Sequence, residues 1–112
     1  CVSSYPCPAD KVNLPRINHL KKIFNNVGYS GHYKGINDAI AAIGYGASVI
    51  EKHFTTDNSL PGRDNKFALI PDEMKLLSSF KNDLAKMNKD YGLDYQEIEQ
   101  DMRQNYIGRW DS

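Results

Sequence analysis

Two histidines, His32 and His53, stand 21 positions apart, each just beyond a short run of strand-forming residues: "VGYSG" precedes the first and "VIEK" the second. If those runs are neighbouring parallel strands, their ends lie side by side and the two imidazoles meet. Imidazole nitrogens bind borderline divalent ions such as zinc, manganese, iron or cobalt. Two protein ligands leave most coordination positions to water or substrate, which suits Lewis-acid activation of a carbonyl better than a closed structural site. The spacing is also compatible with two separate, hydrogen-bonded histidines.

The neighbours of this pair carry further chemistry. Glu51 reads as a base or an orienter beside the second histidine, or as a strand-end carboxylate paired with Lys or Arg. Ser30 and Ser3 can donate to a phosphate, helped by backbone N–H groups around Gly31 and Gly35. Tyr5, at the end of the first run, can hold a small polar ligand or simply pack. Asp64 follows Pro61-Gly62-Arg63 and reads locally as a turn cap, with a ligand contact as the alternative. His19 is expected as a half-buried packing residue. Alternation along the strand turns Lys52 away from Glu51 and His53, towards helices or solvent. The chain has no GxxxxGK[ST] loop and no G-x-S-x-G elbow.

The elements that must position these residues are readable from the apolar spacing. "CVSSYPCP" predicts a short strand running into a loop punctuated by prolines. Asn13 is expected to cap a helix with Leu14 and Pro15 in its first turn, packed by Ile17, Leu20, Ile23 and Phe24. A strand over Val27 to Ser30 follows. A second helix after Gly35 packs through Ile36, Ala39, Ile40 and Ile43, and Gly44 and Gly46 end it. The strand "SVIEKHF" leads into a long polar loop from Thr55 to Ala68, an expected place for binding residues. A third helix starts near Pro71, with Asp72 and Glu73 at its positive end, and runs through Met74, Leu77, Phe80, Leu84 and Met87 towards Gly92. A last helix from Tyr95 to Tyr106 is expected to pack through Ile98 and Met102. Strand and helix alternate three times, which predicts βα units and a parallel sheet.

At 112 residues the chain provides for one modest domain, and its 14 basic and 14 acidic residues are interspersed. That balance gives no electrostatic reason to expect nucleic acid or an anionic membrane as partner. No apolar run reaches the length of a membrane span. Cys1 and Cys7 are expected as free thiols in a reducing, cytoplasmic compartment. The first residue is not Met and Cys1-Val2-Ser3 reads as the tail of a strand under way, so a fragment is expected, with a processed start as the alternative.

Four stretches, "CVSSYPCP", "VGYSGHYKG", "GASVIEKHFTTD" and "LPGRDNKFALIPDEM", resemble the N-acetylneuraminate (sialic acid) synthase family from Cys1 to Leu93. The resemblance implies an α/β fold: the last three βα units of a (β/α)8 TIM barrel over residues 1–93. Residues 94–112 would be a helical tail or the start of an interdomain linker, with "YIGRWDS" as its approach. It implies a cytoplasmic transferase of cell-surface carbohydrate synthesis that condenses phosphoenolpyruvate with an N-acylated amino-hexose such as N-acetylmannosamine and releases phosphate. A divalent cofactor, Mn2+ with Mg2+ or Co2+ as alternatives, would be held by His32 and His53. Glu51 would join these two as the catalytic set, and Ser3, Tyr5, Ser30 and Asp64 would bind substrate.

The full-length protein would be a homodimer without nucleic-acid or membrane partners. The isolated stretch is expected to be inactive, because the family's phosphate-binding lysines lie on earlier strands. Two positions depart from the family's pattern: Gly31 stands where Asp is common, and Asn65 where His is frequent. Two alternative readings are another metal-dependent barrel aldolase or lyase, and a non-catalytic barrel fragment serving as a structural or binding module.

Overall fold

Pro15 sets the first turn of helix α1 (Pro15–Lys21), where its missing N–H costs nothing. The cap position falls on Leu14, and Asn13 instead takes a left-handed backbone with φ 54°. Asn tolerates that region better than most residues, so the expected side-chain cap gives way to a backbone turn in which Arg16 N–H donates to Asn13 O at 3.1 Å. The computed structural model describes residues 1–105. Strand β1 (Gly28–Gly31) follows, then helix α2 (Asn37–Gly44), strand β2 (Val49–Lys52), helix α3 (Pro71–Met87) and helix α4 (Gln100–Asn105). Gly46, at φ 91°, turns the chain out of α2 while its N–H donates to Ile43 O at 2.9 Å.

The two strands pair in parallel with Gly28 opposite Val49, Tyr29 opposite Ile50, Ser30 opposite Glu51 and Gly31 opposite Lys52. A parallel pair requires a crossover, and α2 supplies it. Side chains alternate between faces. Tyr29, Gly31, Ile50 and Lys52 lie on the face covered by helices, while Gly28, Val49 and Glu51 on the other face are exposed and Ser30 is half-buried. The covered face joins two apolar clusters. Ile17, Val27, Tyr29 and Ala42 form one; Ala39, Leu69 and Leu77 form the other, and Ile50 touches both. Burial of a residue such as Leu69 contributes roughly 1.5–3 kcal/mol.

Helix α3 begins with Pro71, and the Glu73 carboxylate accepts from the Ile70 N–H at 3.1 Å. Its packed face is narrower than the spacing predicts: Leu77 is buried, Phe80 and Leu84 are half-buried, and Met74 and Met87 are exposed. It ends at Met87, ahead of Gly92.

Three further expectations are corrected. Cys1–Ser3 is not a strand, because among the described residues no neighbouring strand pairs with it, and the alternating α/β order carries two parallel strands, not three. The final helix does not pack through Ile98 and Met102, which are 86% and 51% exposed. A single 3-10 turn (Glu97–Glu99) and the six residues of α4 present no apolar stripe to the body; the end of that expected helix at Tyr106, and "YIGRWDS", lie outside the described residues. His19 is exposed on α1, because it points away from the side that buries Ile17. Both cysteines are free thiols, Cys1 exposed and Cys7 buried. No described helix is long and apolar enough to cross a membrane.

Candidate active site at the strand ends

His32 and His53 continue the alternation of Ser30 and Glu51, so all four belong to the face that the helices leave open. Register places Ser30 directly opposite Glu51, and the Ser30 hydroxyl donates to Glu51 Oε1 at 3.1 Å. One step beyond the ladder, the two imidazole rings lie with centroids 5.9 Å apart. The expected meeting of the histidines is therefore observed.

The ring of His32 is held by its own backbone surroundings. Nδ1 lies 2.9 Å from the carbonyl oxygen of Val2. A carbonyl only accepts, so Nδ1 carries the hydrogen in the neutral ring and Nε2 presents its lone pair. A ligating histidine is commonly oriented in this way, through its other nitrogen. The His32 carbonyl in turn accepts from Cys7 N–H at 2.7 Å, which ties the first segment of the chain to the end of β1.

The loop after β2 carries Asp64 back towards His53. Thr55 N–H donates to Leu69 O and Leu69 N–H donates to His53 O, both at 2.8 Å, closing the loop on the strand end. Asn58 braces it from inside, donating to Asn65 O at 2.7 Å and Ala68 O at 2.9 Å. The Asn65 amide donates to Pro61 O at 2.7 Å, so this residue supports the turn. Asp57 accepts from the backbone N–H and hydroxyl of Ser59, and these bonds, the N–H first, hold its carboxyl below the usual range. The result places Asp64 Oδ2 3.7 Å from His53 Nδ1.

Tyr5 packs against this group, with its ring centroid 4.5 Å from His53, 6.0 Å from His32 and 5.6 Å from Phe67. Its hydroxyl donates to Asp64 O at 2.8 Å, and partial burial, reinforced by the Asp64 charge, raises the phenol above its ordinary pKa. The structure thus gathers Tyr5, Ser30, His32, Glu51, His53 and Asp64. Ser3 follows the Val2 carbonyl that holds His32; its own hydroxyl is exposed and lies 3.8 Å from the Cys1 sulfur.

A second polar group was not anticipated from the residues. On the covered face, Lys52 Nζ donates to Asp38 Oδ1 at 2.9 Å, to Asp38 Oδ2 at 3.0 Å and to Tyr33 O at 2.6 Å. Tyr29 OH adds a bond to Asp38 Oδ2 at 2.6 Å. Burial, then the bond and charge of Asp38, push the Tyr29 phenol far above its ordinary range. The signal lay in strand parity: Lys52 shares a face with Ile50, and a lysine among apolar groups needs a carboxylate.

Known proteins bear on this arrangement. A family model described as the NeuB family matches residues 1–92. The N,N'-diacetyllegionaminic acid synthase of Campylobacter jejuni is 47% identical over 78 residues, covering 69% of this chain and 23% of that protein. Spore coat polysaccharide biosynthesis protein SpsE of Bacillus subtilis is 46% identical over 78 residues, covering 67% of this chain and 21% of its own. The crystal structure of N-acetylneuraminic acid synthetase from Leptospira borgpetersenii, in complex with citrate, superposes with a TM-score of 0.78 at 35% identity, covering 95% of this chain and 39% of that one. The chain spans less than a quarter of the length of these curated relatives.

Proposed function

The chain belongs to the NeuB family, and from that premise we propose that it supplies the His32–Glu51–His53 part of a nonulosonic acid synthase centre. In this reading residues 1–93 are the last three βα units of a (β/α)8 barrel, with Cys1–Ser3 becoming a strand only where the rest of the barrel supplies its neighbour, and residues 94–112 lead out of it. The parallel β1–β2 pair, with its functional residues at the C-terminal strand ends, is the arrangement such barrels use. We further propose that it works in the cytoplasm, a reading its two free thiols support, and that the full-length protein is a homodimer.

The substrates proposed are phosphoenolpyruvate and an N-acylated amino-hexose in its open aldehyde form. The C=C π pair of phosphoenolpyruvate forms a C–C bond from its methylene carbon to the aldehyde carbon, and the displaced C=O pair becomes a hydroxyl with a proton that the attacking water gives up. The oxygen of a water adds to the enol carbon, the bond from that carbon to the phosphate oxygen breaks, and inorganic phosphate leaves. Glu51 accepts a proton of the attacking water. Ser30 and Ser3 are the donors assigned to phosphate; the single Ser30 O–H, which lies 3.1 Å from Glu51 in the free chain, turns to the phosphate when it binds and leaves that carboxylate free for the water. Asp64 holds hydroxyls of the acceptor sugar, and Tyr5 walls the site beside both imidazoles.

The donor set fits a divalent ion with open positions. The residues that would hold it are His32 and His53, whose ring centroids lie 5.9 Å apart. Among the described residues no group of three or more His, Cys, Asp or Glu is arranged to hold a metal, so His32 and His53 would share it with water or substrate. Manganese, the ion proposed, would polarise the aldehyde oxygen as a Lewis acid when bound.

The single observation that carries this reading is the His32–His53 pair, with the Nε2 of His32 left open by the bond from Nδ1 to Val2 O. The test is Mn2+-dependent phosphate release from phosphoenolpyruvate with a panel of N-acylated hexosamines, using the full-length gene product. His32→Ala and His53→Ala are each expected to lower the rate at least ~100-fold. Unchanged rates in both would sink the assignment.

A further inference from the structure

The β1–β2 ladder ends at the pair Gly31 and Lys52, one residue short of both histidines. Neither histidine therefore has a paired residue of its own in the ladder. The Lys52 side chain crosses that gap on the covered face. Its ammonium donates to the carbonyl of Tyr33, the residue after His32, from a backbone position just before His53. The other two donors are taken by the Asp38 carboxylate, so all three N–H groups of the ammonium have acceptors. The side chains of Lys52 and Asp38 are 3% and 2% exposed.

We propose that Lys52, fixed by Asp38 and Tyr29, is a brace that sets the separation and orientation of the His32 and His53 rings. All three are positioning residues; none faces the open side. The parts are specific to this task. Asp38 comes from the first turn of α2, so the brace locks the crossover helix to both strand ends at once. Tyr29 OH occupies Asp38 Oδ2 and keeps the carboxylate from turning.

Gly31 completes the device. A Cβ there would collide with Asp38 Oδ2 and would approach Lys52 Cδ to 2.6 Å and Tyr29 Cε1 to 2.8 Å. The residue at 31 must lack a side chain for the lysine to pass. Among the described residues no buried side-chain nitrogen or oxygen lacks a partner, so the brace is complete.

The inference deepens the proposed reading of the histidine pair and rests on it for its functional meaning, but its test does not depend on metal binding. The decisive variant is the triple Tyr29→Phe, Asp38→Leu, Lys52→Met in the full chain. It removes the brace without leaving a buried charge, whereas Lys52→Met alone leaves an orphaned carboxylate. Long-range 1H–15N spectra of the imidazoles report the tautomer and ring order of His32 and His53. Wild type is expected to show a single His32 form protonated at Nδ1, and the triple variant averaged or shifted signals for both rings. Signals identical to wild type in a folded triple variant would overturn the brace. Mn2+ titrated into both proteins is expected to bind about 10–100-fold more weakly to the triple variant; equal affinity would also count against it. If wild type binds no Mn2+, the metal reading fails, and the imidazole spectra still decide the brace.

Discussion

The two faces of one four-residue parallel ladder treat their polar groups in opposite ways. On the covered face, Lys52, Asp38 and Tyr29 satisfy one another within 3.0 Å and are shut away from water. On the open face, His32 is held at 2.9 Å by Val2 O through one nitrogen only, Ser30 meets Glu51 at 3.1 Å and Asp64 approaches His53 to 3.7 Å, so lone pairs stay available. Strand alternation alone separates the two sets, since residues 29, 31, 50 and 52 go one way and 30 and 51 the other. Polar chemistry that holds and polar chemistry that reacts can therefore share a strand without competing.

The comparison breaks most sharply with a single charge removed from each face. Lys52→Met leaves the Asp38 carboxylate buried without its cation and is expected to cost about 3–5 kcal/mol in urea unfolding. Glu51→Gln, on the exposed side, is expected to stay within ~0.5 kcal/mol, and equal costs for the two would mean that the faces do not differ as described. A smaller effect comes from space. Gly31→Ala adds one methyl to a filled site and is expected to destabilise by about 1–3 kcal/mol, while Ser30→Ala next to it changes little; a neutral Gly31→Ala would show that the covered face has room to spare.

The mildest perturbation is alkaline pH. Because the folded-state pKa of Tyr29 is raised, the unfolded chain loses this proton first. Its contribution is intact below the ordinary phenol pKa of roughly 10 and falls by up to about 1.4 kcal/mol per pH unit above it. Tyr29→Phe should flatten that decline in unfolding curves measured between neutral and strongly alkaline pH. An unaltered slope would place the phenol in water.

Much of the open face was legible in the residues, because its logic is local. Strand ends, a histidine beyond each, and a carboxylate two places before the second can be read directly along the chain. The element order was legible for the same reason: Ile36, Ala39, Ile40 and Ile43 recur at helical spacing, and Pro15 and Pro71 mark helix starts. The covered face depends on a contact between Lys52 and Asp38 across 14 positions and two different elements. Asp38 by itself reads only as an acid suited to a helix N-terminus, and nothing in its neighbourhood names a partner. Cys1–Ser3 failed as a strand for a related reason, since strand character is granted by a neighbour and not by the segment itself. Ile98 and Met102 misled because apolar residues at helical spacing do not guarantee a surface to pack on.

The crossover connection has a kinetic consequence. A parallel pair cannot zip from a tight turn; Gly28–Gly31 and Val49–Lys52 meet only once α2 has folded back over them. The loop that must close is about 20 residues, and its entropy is lost before any ladder bond compensates. The two imidazoles therefore come within reach of each other in the same event that docks the helix. During refolding, the arrival of the histidine pair would serve as a clock for the crossover, and a chain slowed at that step would have secondary structure before it had a site.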